Sequence, residues 1–457
     1  MPFEVRRKEC EVIMKLDETF KVKIDSFDIN GYGVCHIDKK IVFVEGAMEG
    51  EEVIIKITGI HSNFCFAETI KILSKSEHRI ESKCPYSSLC GGCDLLHMDY
   101  ETECQIKENK IRQTLRKFEY NQMPIIKNDI TFGYRNKIMV PFRKDEEGDV
   151  IYGFYEKMTH NVISMDKCII SNNKANEILA FIARYLSIFN ISIYDEQNDK
   201  GLFKEVMIRN TSLNEYMVVL VVTKDYDFSN LIEYLNKEFS EIKSIWLNIN
   251  SKLTNVVLSN DYKLLYGNEV ITEDILGLKF NVSAASFMQV NHDNCEKLYS
   301  EAIKLADLNS NMNVIDAYCG MGSITLNIAK YVKHVYGIEV VEAAINNANN
   351  NKKLNNINNV DFICGKCEDE IKKLVSKEKI DCIFFDPPRK GCEKSFLDTV
   401  ISMKIPKIIY ISCNIATAAR DIDILEKAGY KLISATPCDL FSKTSHVESV
   451  LLLNRKK

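Results

Sequence analysis

The stretch 407–421 contains Cys413, the residue with the clearest chemical potential in the chain. It reads K-I-I-Y-I-S-C-N-I-A-T-A-A-R-D, so a short, largely apolar run precedes the cysteine and a helical pattern over 416–425 follows it. A cysteine between the carboxyl end of a buried strand and a helix N-terminus lies where open α/β sheets bind ligands. We expect the helix dipole and nearby amides to lower its pKa and favour the nucleophilic thiolate. The alternative is that Cys413 is one more buried cysteine with a structural role.

A second set of residues suits a cofactor that contains a nucleoside. The run D-A-Y-C-G-M-G at 316–322 follows a predicted strand, and Gly320 and Gly322 permit a tight turn against a ligand. Glu339 ends the next predicted strand, 23 residues past Asp316, and is placed to accept hydrogen bonds from ribose hydroxyls. Because the third glycine of the dinucleotide fingerprint is absent, the pattern favours S-adenosylmethionine over NAD.

Two further acidic residues complete this group. Asp386 begins the run D-P-P-R-K-G, which predicts a rigid turn at a strand end, beside the sulfonium of the cofactor. Glu448, in H-V-E, begins an apolar strand, where partial burial would raise its pKa toward the range of a general base. A plain strand-ending turn and an ordinary strand edge are the alternatives.

The chain has 16 cysteines, unevenly spaced and unlike a secreted disulfide framework. Cys84, Cys90 and Cys93 form C-x5-C-G-G-C, and Cys168 follows alone. Four thiolates complete a [4Fe-4S] cluster, and they also suit zinc. Since zinc ribbons usually show two C-x2-C pairs, we predict a closed, structural [4Fe-4S] cluster bound to these four residues.

Composition narrows the class of protein. The 457 residues are 46% hydrophobic and 27% charged, as in a soluble protein of about three domains. No run of about 18 apolar residues and no signal-like start appears, so we expect a cytoplasmic protein with no membrane partner. The net charge of −5 excludes a chain that is basic throughout and requires any nucleic-acid contact to come from a local patch.

Such a patch lies between positions 104 and 144, a stretch that contains ten Lys or Arg and only three acidic residues. Lys107 and Lys110 fall along one side of a predicted helix over 100–120, whereas Tyr134, Arg135 and Lys137 enter a predicted strand. Basic side chains suit phosphates and a tyrosine suits stacking on a base. The alternative is a solvated helix face.

Three domains are predicted to position these residues. Residues 1–72 alternate with period two, giving four or five strands of a small closed barrel. Their runs G-Y-G-V and V-F-V-E-G-A-M-E-G-E-E-V resemble the TRAM domain, an OB-like RNA-binding module. Residues 73–290 read as a central α/β domain that carries the cluster. Residues 291–457 show regular βα alternation, which predicts a doubly wound, Rossmann-like sheet that ends in an antiparallel pair.

The motifs together resemble the RNA 5-methyluridine methyltransferase family. Matching stretches, in the family's order, are C-x5-C-G-G-C, Y-R-N-K, F-M-Q-V-N, D-A-Y-C-G-M-G, D-P-P-R-K-G, S-C-N-x-x-T-x-A-R-D and H-V-E. The resemblance implies a class I methyltransferase domain, S-adenosylmethionine as methyl donor, Cys413 as nucleophile and Glu448 as base. It also implies that the cofactor contacts include Gln289, Tyr318, Glu339 and Asp386, and Arg389 joins the candidate RNA contacts.

The sequence departs from the family's motifs at two loop positions, where Ile415 and Ser442 replace prolines that are usual in the family.

The cluster motif distinguishes the chain from the tRNA-specific bacterial branch and favours 23S ribosomal RNA as substrate. Transfer RNA uracil-C5 methylation, RNA cytosine-C5 methylation and a non-catalytic RNA-binding protein are the alternatives. We expect a monomer with no DNA partner.

Overall fold

The computed structural model describes residues 14–252 and 256–456. The chain forms two compact units, one made of the residues up to 83 together with 94–113, the other of 84–93 and 114–457. None of the helices in these described ranges is long and apolar enough to span a membrane.

The first unit is built on a six-stranded sheet, with one or two strands more than the four or five that the period-two pattern predicted for a closed barrel. The sheet order is β1-β5-β6-β4-β3-β2. Alternate side chains, such as Val42, Val44 and Ile55, form its core. The elements are β1 (Thr19–Lys23), β2 (Ser26–Phe27), β3 (Gly33–Ile37), β4 (Lys40–Glu45), β5 (Glu52–Ile60), β6 (Phe64–Ser74) and helix α1 (Tyr100–Thr114). Helix α1 ends six residues before the predicted boundary at 120.

A central six-stranded sheet begins the second unit, after the short strand β7 (Asn121–Gln122). Its elements are β8 (Lys137–Lys144), β9 (Val150–Tyr152), α2 (Asn173–Ile188), β10 (Phe203–Asn210), β11 (Tyr216–Val222), α3 (Ser229–Glu238), β12 (Ile242–Ile249) and β13 (Tyr262–Gly267). The order is β13-β12-β11-β10-β8-β9, with β11 and β12 parallel. A hairpin of β14 (Val270–Ile275) and β15 (Leu278–Ser283) follows.

The C-terminal part is the predicted doubly wound sheet. Its elements are α4 (His292–Ala306), β16 (Asn313–Ala317), α5 (Ser323–Ile328), β17 (His334–Glu339), α6 (Glu342–Leu354), β18 (Val360–Cys364), α7 (Cys367–Val375), β19 (Cys382–Phe385), α8 (Lys394–Ser402), β20 (Lys407–Ser412), α9 (Ile415–Lys427), β21 (Tyr430–Cys438) and β22 (Glu448–Arg455). Strands β19 and β20 read as continuous apolar runs because helices cover both faces of the sheet.

The end of this sheet differs from the prediction in one respect. The order is β18-β17-β16-β19-β20-β22-β21-β7, so β22 lies between β20 and β21 and runs antiparallel to both. The antiparallel final pair is therefore confirmed, but β21 is not the edge. Strand β7, more than 300 residues earlier in the chain, pairs with it in parallel.

Candidate active site

The predicted chemical residues meet at one edge of the C-terminal sheet. Strands β16, β17, β19 and β20 are parallel neighbours, so their carboxyl ends lie side by side. Asp316, Glu339, Asp386 and Cys413 lie at or directly after those ends. This edge is where doubly wound sheets bind their ligands.

The turn after β16 has a backbone that explains its glycines. Tyr318, Gly320 and Gly322 all have left-handed φ values, of 62°, 53° and 82°. A Cβ on Gly322 would also lie 2.6 Å from the ring of Phe362, whereas a Cβ on Gly320 would meet nothing within 4 Å. The turn therefore leaves open space at Gly320, where a ligand can approach the backbone.

Glu339 is held at this turn by two backbone amides. Gly320 N donates to its Oε2 at 3.3 Å and Val341 N donates to its Oε1 at 2.9 Å. The carboxylate is half-buried and keeps acceptor capacity for further donors. The contact of Glu339 with ribose hydroxyls stays a prediction.

Two carboxyl groups of the site, those of Asp316 and Asp386, have raised pKa values. Burial raises the pKa of Asp316 to about 7, and the nearby charges of Asp386 and Glu339 act in the same direction. Burial also raises the pKa of Asp386, which accepts a hydrogen bond from Gln289 Nε2 at 3.5 Å. Unbalanced negative charge of this kind suits a ligand that carries positive groups.

Gln289 lies in a loop held by two residues whose positioning role the sequence did not predict, Asn136 of the Y-R-N-K motif and Arg209. Gln289 is 7% exposed, and its backbone carbonyl accepts from Asn136 Nδ2 at 3.0 Å. Arg209, fully buried, donates to the carbonyls of Ser283 and Ser286 at the start of the same loop. The Y-R-N-K motif, which contains Asn136, therefore orients the F-M-Q-V-N loop as well as offering basic side chains.

Cys413 lies between β20 and α9, as predicted, and its side chain is half-buried. Asn414 caps the helix by accepting from Ala416 N at 3.1 Å. The prediction of a lowered pKa is wrong. Burial raises the pKa of Cys413 to about 11, the charges of Glu448 and Asp386 add to the increase, and only Arg389 opposes it appreciably through its charge. Two carboxylates and desolvation outweigh the helix dipole.

Glu448 is the first residue of β22 and lies beside Cys413, because Ser412 pairs with Ser449 across the two strands. It is only 3% exposed, and its Oε2 makes no hydrogen bond to any residue within 14–252 or 256–456. Burial, reinforced by Asp386, raises its pKa well above the usual value, the direction that the sequence predicted. An unpartnered buried carboxyl group costs stability and is typical of a functional site.

The S-C-N-x-x-T-x-A-R-D motif has a second role that the structure reveals. Asn414 Nδ2 and Thr417 Oγ1 donate to the carbonyl of Arg389, at 3.2 and 3.3 Å. Arg420 donates to the carbonyls at 390 and 392. Asp421 is buried and accepts from the amide at 392 and from the Tyr410 hydroxyl, each at 2.9 Å. Helix α9 therefore fixes the loop after Asp386 next to Cys413.

A family model described as tRNA (uracil-5-)-methyltransferase matches residues 99–456. The chain belongs to this family. A TRAM domain model matches residues 16–70. Family membership confirms the resemblance drawn from the motifs and makes the protein an S-adenosylmethionine-dependent RNA methyltransferase of the uracil-C5 type.

Similar proteins agree with this assignment. An uncharacterized RNA methyltransferase of Clostridium tetani is 37% identical over 97% of this chain and 98% of that protein. One of Clostridium acetobutylicum is 38% identical over 98% and 99%. The crystal structure of Pyrococcus abyssi tRNA (uracil-54, C5)-methyltransferase in complex with S-adenosyl-L-homocysteine shares the fold, with a TM-score of 0.76 at 23% identity over 95% of this chain and 99% of that one.

The two departures from the family motifs are accommodated locally. Ile415 is buried and opens α9, the position where a proline would otherwise fit. The Ser442 hydroxyl donates to Asp439 and accepts from Asn128 Nδ2 at 3.0 Å. Hydrogen bonds thus hold the loop that a proline would stiffen.

Three of the four predicted cluster cysteines, Cys84, Cys90 and Cys168, lie near one another. The pKa of the Cys90 thiol is raised by burial and by the nearby thiols of Cys168 and Cys84, which places these three close in space. Gly91 N donates to the Tyr155 carbonyl at 3.2 Å and anchors their loop. However, no three His, Cys, Asp or Glu side chains in the described ranges are arranged around a common metal position. The donor chemistry fits a cluster, but the structure does not confirm one.

Among the predicted RNA contacts, Lys107 needs correction. It is fully buried, and its ammonium donates to Glu103 at 2.8 Å, one helical turn away. Lys110 is partly buried and donates to Asn30 at 3.1 Å. The helical periodicity that suggested a basic face did not reveal that this face is covered.

The other predicted RNA contacts lie in the second unit. The Tyr134 hydroxyl donates to the Ser442 carbonyl at 3.0 Å, and the backbone of Arg135 pairs with Ser171 and Asn291. Burial lowers the pKa of Lys137 to about 8, helped by the charge of Arg209. Arg389 is exposed beside the site. Of the six, Arg389 is the one that is exposed.

The raised pKa of Cys413 gives a testable pH dependence. Iodoacetamide attacks only the thiolate, so the alkylation rate of Cys413 should rise about tenfold per pH unit and level off near pH 11. The sulfonium charge of S-adenosylmethionine should lower this pKa and speed alkylation at neutral pH, whereas neutral S-adenosylhomocysteine should not. Peptide mass spectrometry of Cys413 measures both rates, and equal rates with the two ligands would contradict the electrostatic explanation.

Proposed function

We propose that the enzyme methylates C5 of a specific uridine in 23S ribosomal RNA through a transient bond between Cys413 and C6 of uracil. The observation that carries this proposal is the placement of Cys413 beside Glu448, a buried acid with an unpartnered oxygen, at the sheet edge that holds the glycine turn. A nucleophile and a base are thereby available on one side of the methyl-donor site.

The uracil ring requires a nucleophile because its C5 is too weakly nucleophilic to accept a methyl group directly. Addition of the Cys413 thiolate to C6 converts the ring to an enolate and makes C5 nucleophilic. S-adenosylmethionine supplies an electrophilic methyl group. Tyr318, Gly320, Gly322, Glu339, Gln289 and Asp386 would hold it, and the acidic surroundings of the site fit its sulfonium and ammonium charges.

Release of the product requires removal of the proton that remains on C5. Glu448 is the proposed base, since a carboxyl group with a raised pKa is a stronger base once it is ionised. Loss of this proton allows the bond from Cys413 to C6 to break, which regenerates the thiolate. Arg389 lowers the pKa of both residues and so favours their ionised forms.

A uridine within folded RNA must be extruded to reach Cys413, at a cost of a few kcal/mol. Arg389 and the Tyr134–Lys137 segment are the proposed contacts with flanking RNA. The first unit adds an aromatic cluster made of residues on β4 and β6 and of His61, which lies between β5 and β6. Phe64 stacks on His61 at 4.5 Å and contacts Phe43 and Phe66 at 5.7 and 5.5 Å between ring centroids. Such clusters bind single-stranded bases by stacking.

Nucleoside mass spectrometry of reaction products tests the substrate. We expect 5-methyluridine in 23S ribosomal RNA incubated with the enzyme and S-adenosylmethionine, and none in transfer RNA. Transfer RNA is the second candidate, because the Pyrococcus abyssi enzyme of similar fold acts on it. 5-Methyluridine in transfer RNA alone would reject ribosomal RNA as the substrate. 5-Methylcytidine as the product would reject uridine as the methylated nucleoside.

We also propose that Cys84, Cys90, Cys93 and Cys168 bind a [4Fe-4S] cluster. Protein purified without oxygen should contain about four iron and four sulfide per chain, with broad visible absorption. Cys90→Ser should lose the iron, the sulfide and the absorption. Cys364→Ser, at an exposed cysteine outside the motif, should keep all three. Zinc in place of iron, or iron that persists in Cys90→Ser, would overturn the assignment.

A further inference from the structure

The central sheet carries a cavity of about 530 Å³ to which none of the methyltransferase motifs contributes. Its lining includes Tyr155, Tyr194, Glu196, Lys204, Glu205 and Asn250. The cavity lies where the parallel strands β11 and β12 end, a position that commonly binds ligands in α/β sheets. Its volume falls in the range of about 300–1,000 Å³ typical of small-molecule sites.

A β-bulge in β10 directs two successive side chains into this cavity. Phe203 pairs with Val222 and Glu205 with Val221, so Lys204 is the extra residue of the bulge. In a regular strand Lys204 and Glu205 would point to opposite faces, yet both line the cavity. Bulges are over-represented next to functional sites because they redirect side chains in this way.

Glu205 presents an acceptor that the described residues leave without a donor. Arg143 is the cation that most affects it, but the guanidinium is already bonded to Glu196, to the Phe142 carbonyl and to Tyr155. No hydrogen bond or ion pair to the Glu205 carboxylate occurs within 14–252 and 256–456. Burial raises its pKa to about 7. A ligand with N–H donors would satisfy this group.

The remaining walls are aromatic and basic. Lys204 Nζ lies 4.5 Å from the ring centroid of Tyr194, and the ring of Tyr155 meets His160 edge-on at 6.1 Å. Lys204 donates to the carbonyls of Asn250 and Lys252, both at 3.3 Å. Because these hydrogen bonds are long and the ammonium has three donors, it can still bind an anion. With Lys204, Lys252 and Arg143 nearby, a simple cation is a poor partner for Glu205.

We propose that this cavity binds a guanine nucleotide, with Glu205 accepting from N1–H and the 2-amino group, Tyr155 against the base and Lys204 toward a phosphate. Guanine is the one standard base with two adjacent N–H donors on one edge, which matches a carboxylate bidentately. Adenine and cytosine offer one amino group beside an acceptor nitrogen. The nucleotide comes either from a guanosine of the bound RNA or from free GMP, and both present this chemistry.

Calorimetric titration of the full-length enzyme with GMP and IMP tests the site without any methyl transfer. IMP lacks the 2-amino group, so it should bind at least about tenfold more weakly than GMP. Glu205→Gln should lose at least about tenfold in GMP affinity, whereas Glu233→Gln, an exposed change of the same kind on α3, should not. The comparison of GMP with IMP needs no variant and stands even if Glu205→Gln fails to fold.

Photo-crosslinking of ribosomal RNA that contains 6-thioguanosine distinguishes the two sources. Crosslinks to peptides with Tyr155 or Tyr194 that GMP competes away identify an RNA guanosine as the occupant. Saturable GMP binding without such crosslinks identifies the free nucleotide. Equal affinity for GMP and IMP would overturn the proposal, and so would an unchanged affinity of Glu205→Gln for GMP. The absence of both GMP binding and crosslinks would also overturn it. Loss of methylation would not affect these readouts, so failure of the proposed function is separately detectable.

Discussion

Replacement of Cys413 by alanine is expected to reduce 5-methyluridine formation by at least about 10⁴-fold, because C5 becomes nucleophilic only after a nucleophile adds to C6 and alanine has none. The rate of methyl incorporation into RNA from labelled S-adenosylmethionine measures this loss. RNA carrying 5-fluorouridine gives a sharper readout, since it has no removable proton on C5. The native enzyme should be trapped as a covalent complex that survives a denaturing gel, and Cys413→Ala should form none.

Cys364 provides the matched control for this experiment. It is the last residue of a parallel strand of the same sheet and is exposed, but it lies outside the nucleophile motif. Cys364→Ala should therefore retain both methylation and trapping. A covalent complex that persists in Cys413→Ala, or its absence with the native enzyme, would show that another residue is the nucleophile or that no covalent step occurs.

Glu448→Gln is expected to separate methyl transfer from product release. Glutamine keeps the shape of the side chain but cannot accept the C5 proton, so ordinary RNA should be methylated once and remain bound to Cys413. Loss of a general base typically costs about 10²–10⁴-fold in rate. Denaturing gels should show protein linked to methylated RNA even though the substrate contains no 5-fluorouridine, and the rate of multiple turnover should fall by that amount. Normal turnover would assign the base to another residue.

Stability measurements separate this chemical effect from misfolding. The pKa of Glu448 is raised in the folded state, so the folded protein binds a proton more tightly than the unfolded one and loses stability as pH rises above about 4.5. Glu448→Gln removes this penalty and should unfold at the same or higher temperature than the native enzyme at pH 8. Asp398→Asn, at an exposed carboxylate on α8, should change neither stability nor turnover.

The local sequence was sufficient for much of the fold. The βα alternation of residues 291–457 predicted the doubly wound sheet, because the period and composition of a buried strand or helix depend on its own residues. The order of the motifs identified the family, which the family model then confirmed. The place of Cys413, between a strand end and a helix start, was predicted correctly for the same reason.

Properties set by distant residues were predicted poorly. The place of β22 between β20 and β21, and the pairing of β7 with β21, require contacts between segments far apart in the chain. The bulge at Lys204 is likewise visible only in the register between two strands.

The amino-acid sequence alone determined which groups do chemistry here and on which kind of element each one lies, because side-chain type and hydrophobic period are local. The tertiary structure alone decided their ionisation and exposure: Cys413 gained a pKa near 11 from Glu448 and Asp386, and Lys107 was buried against Glu103. The reason is that a charge responds to everything within several ångströms of it, and folding brings those neighbours from remote parts of the chain.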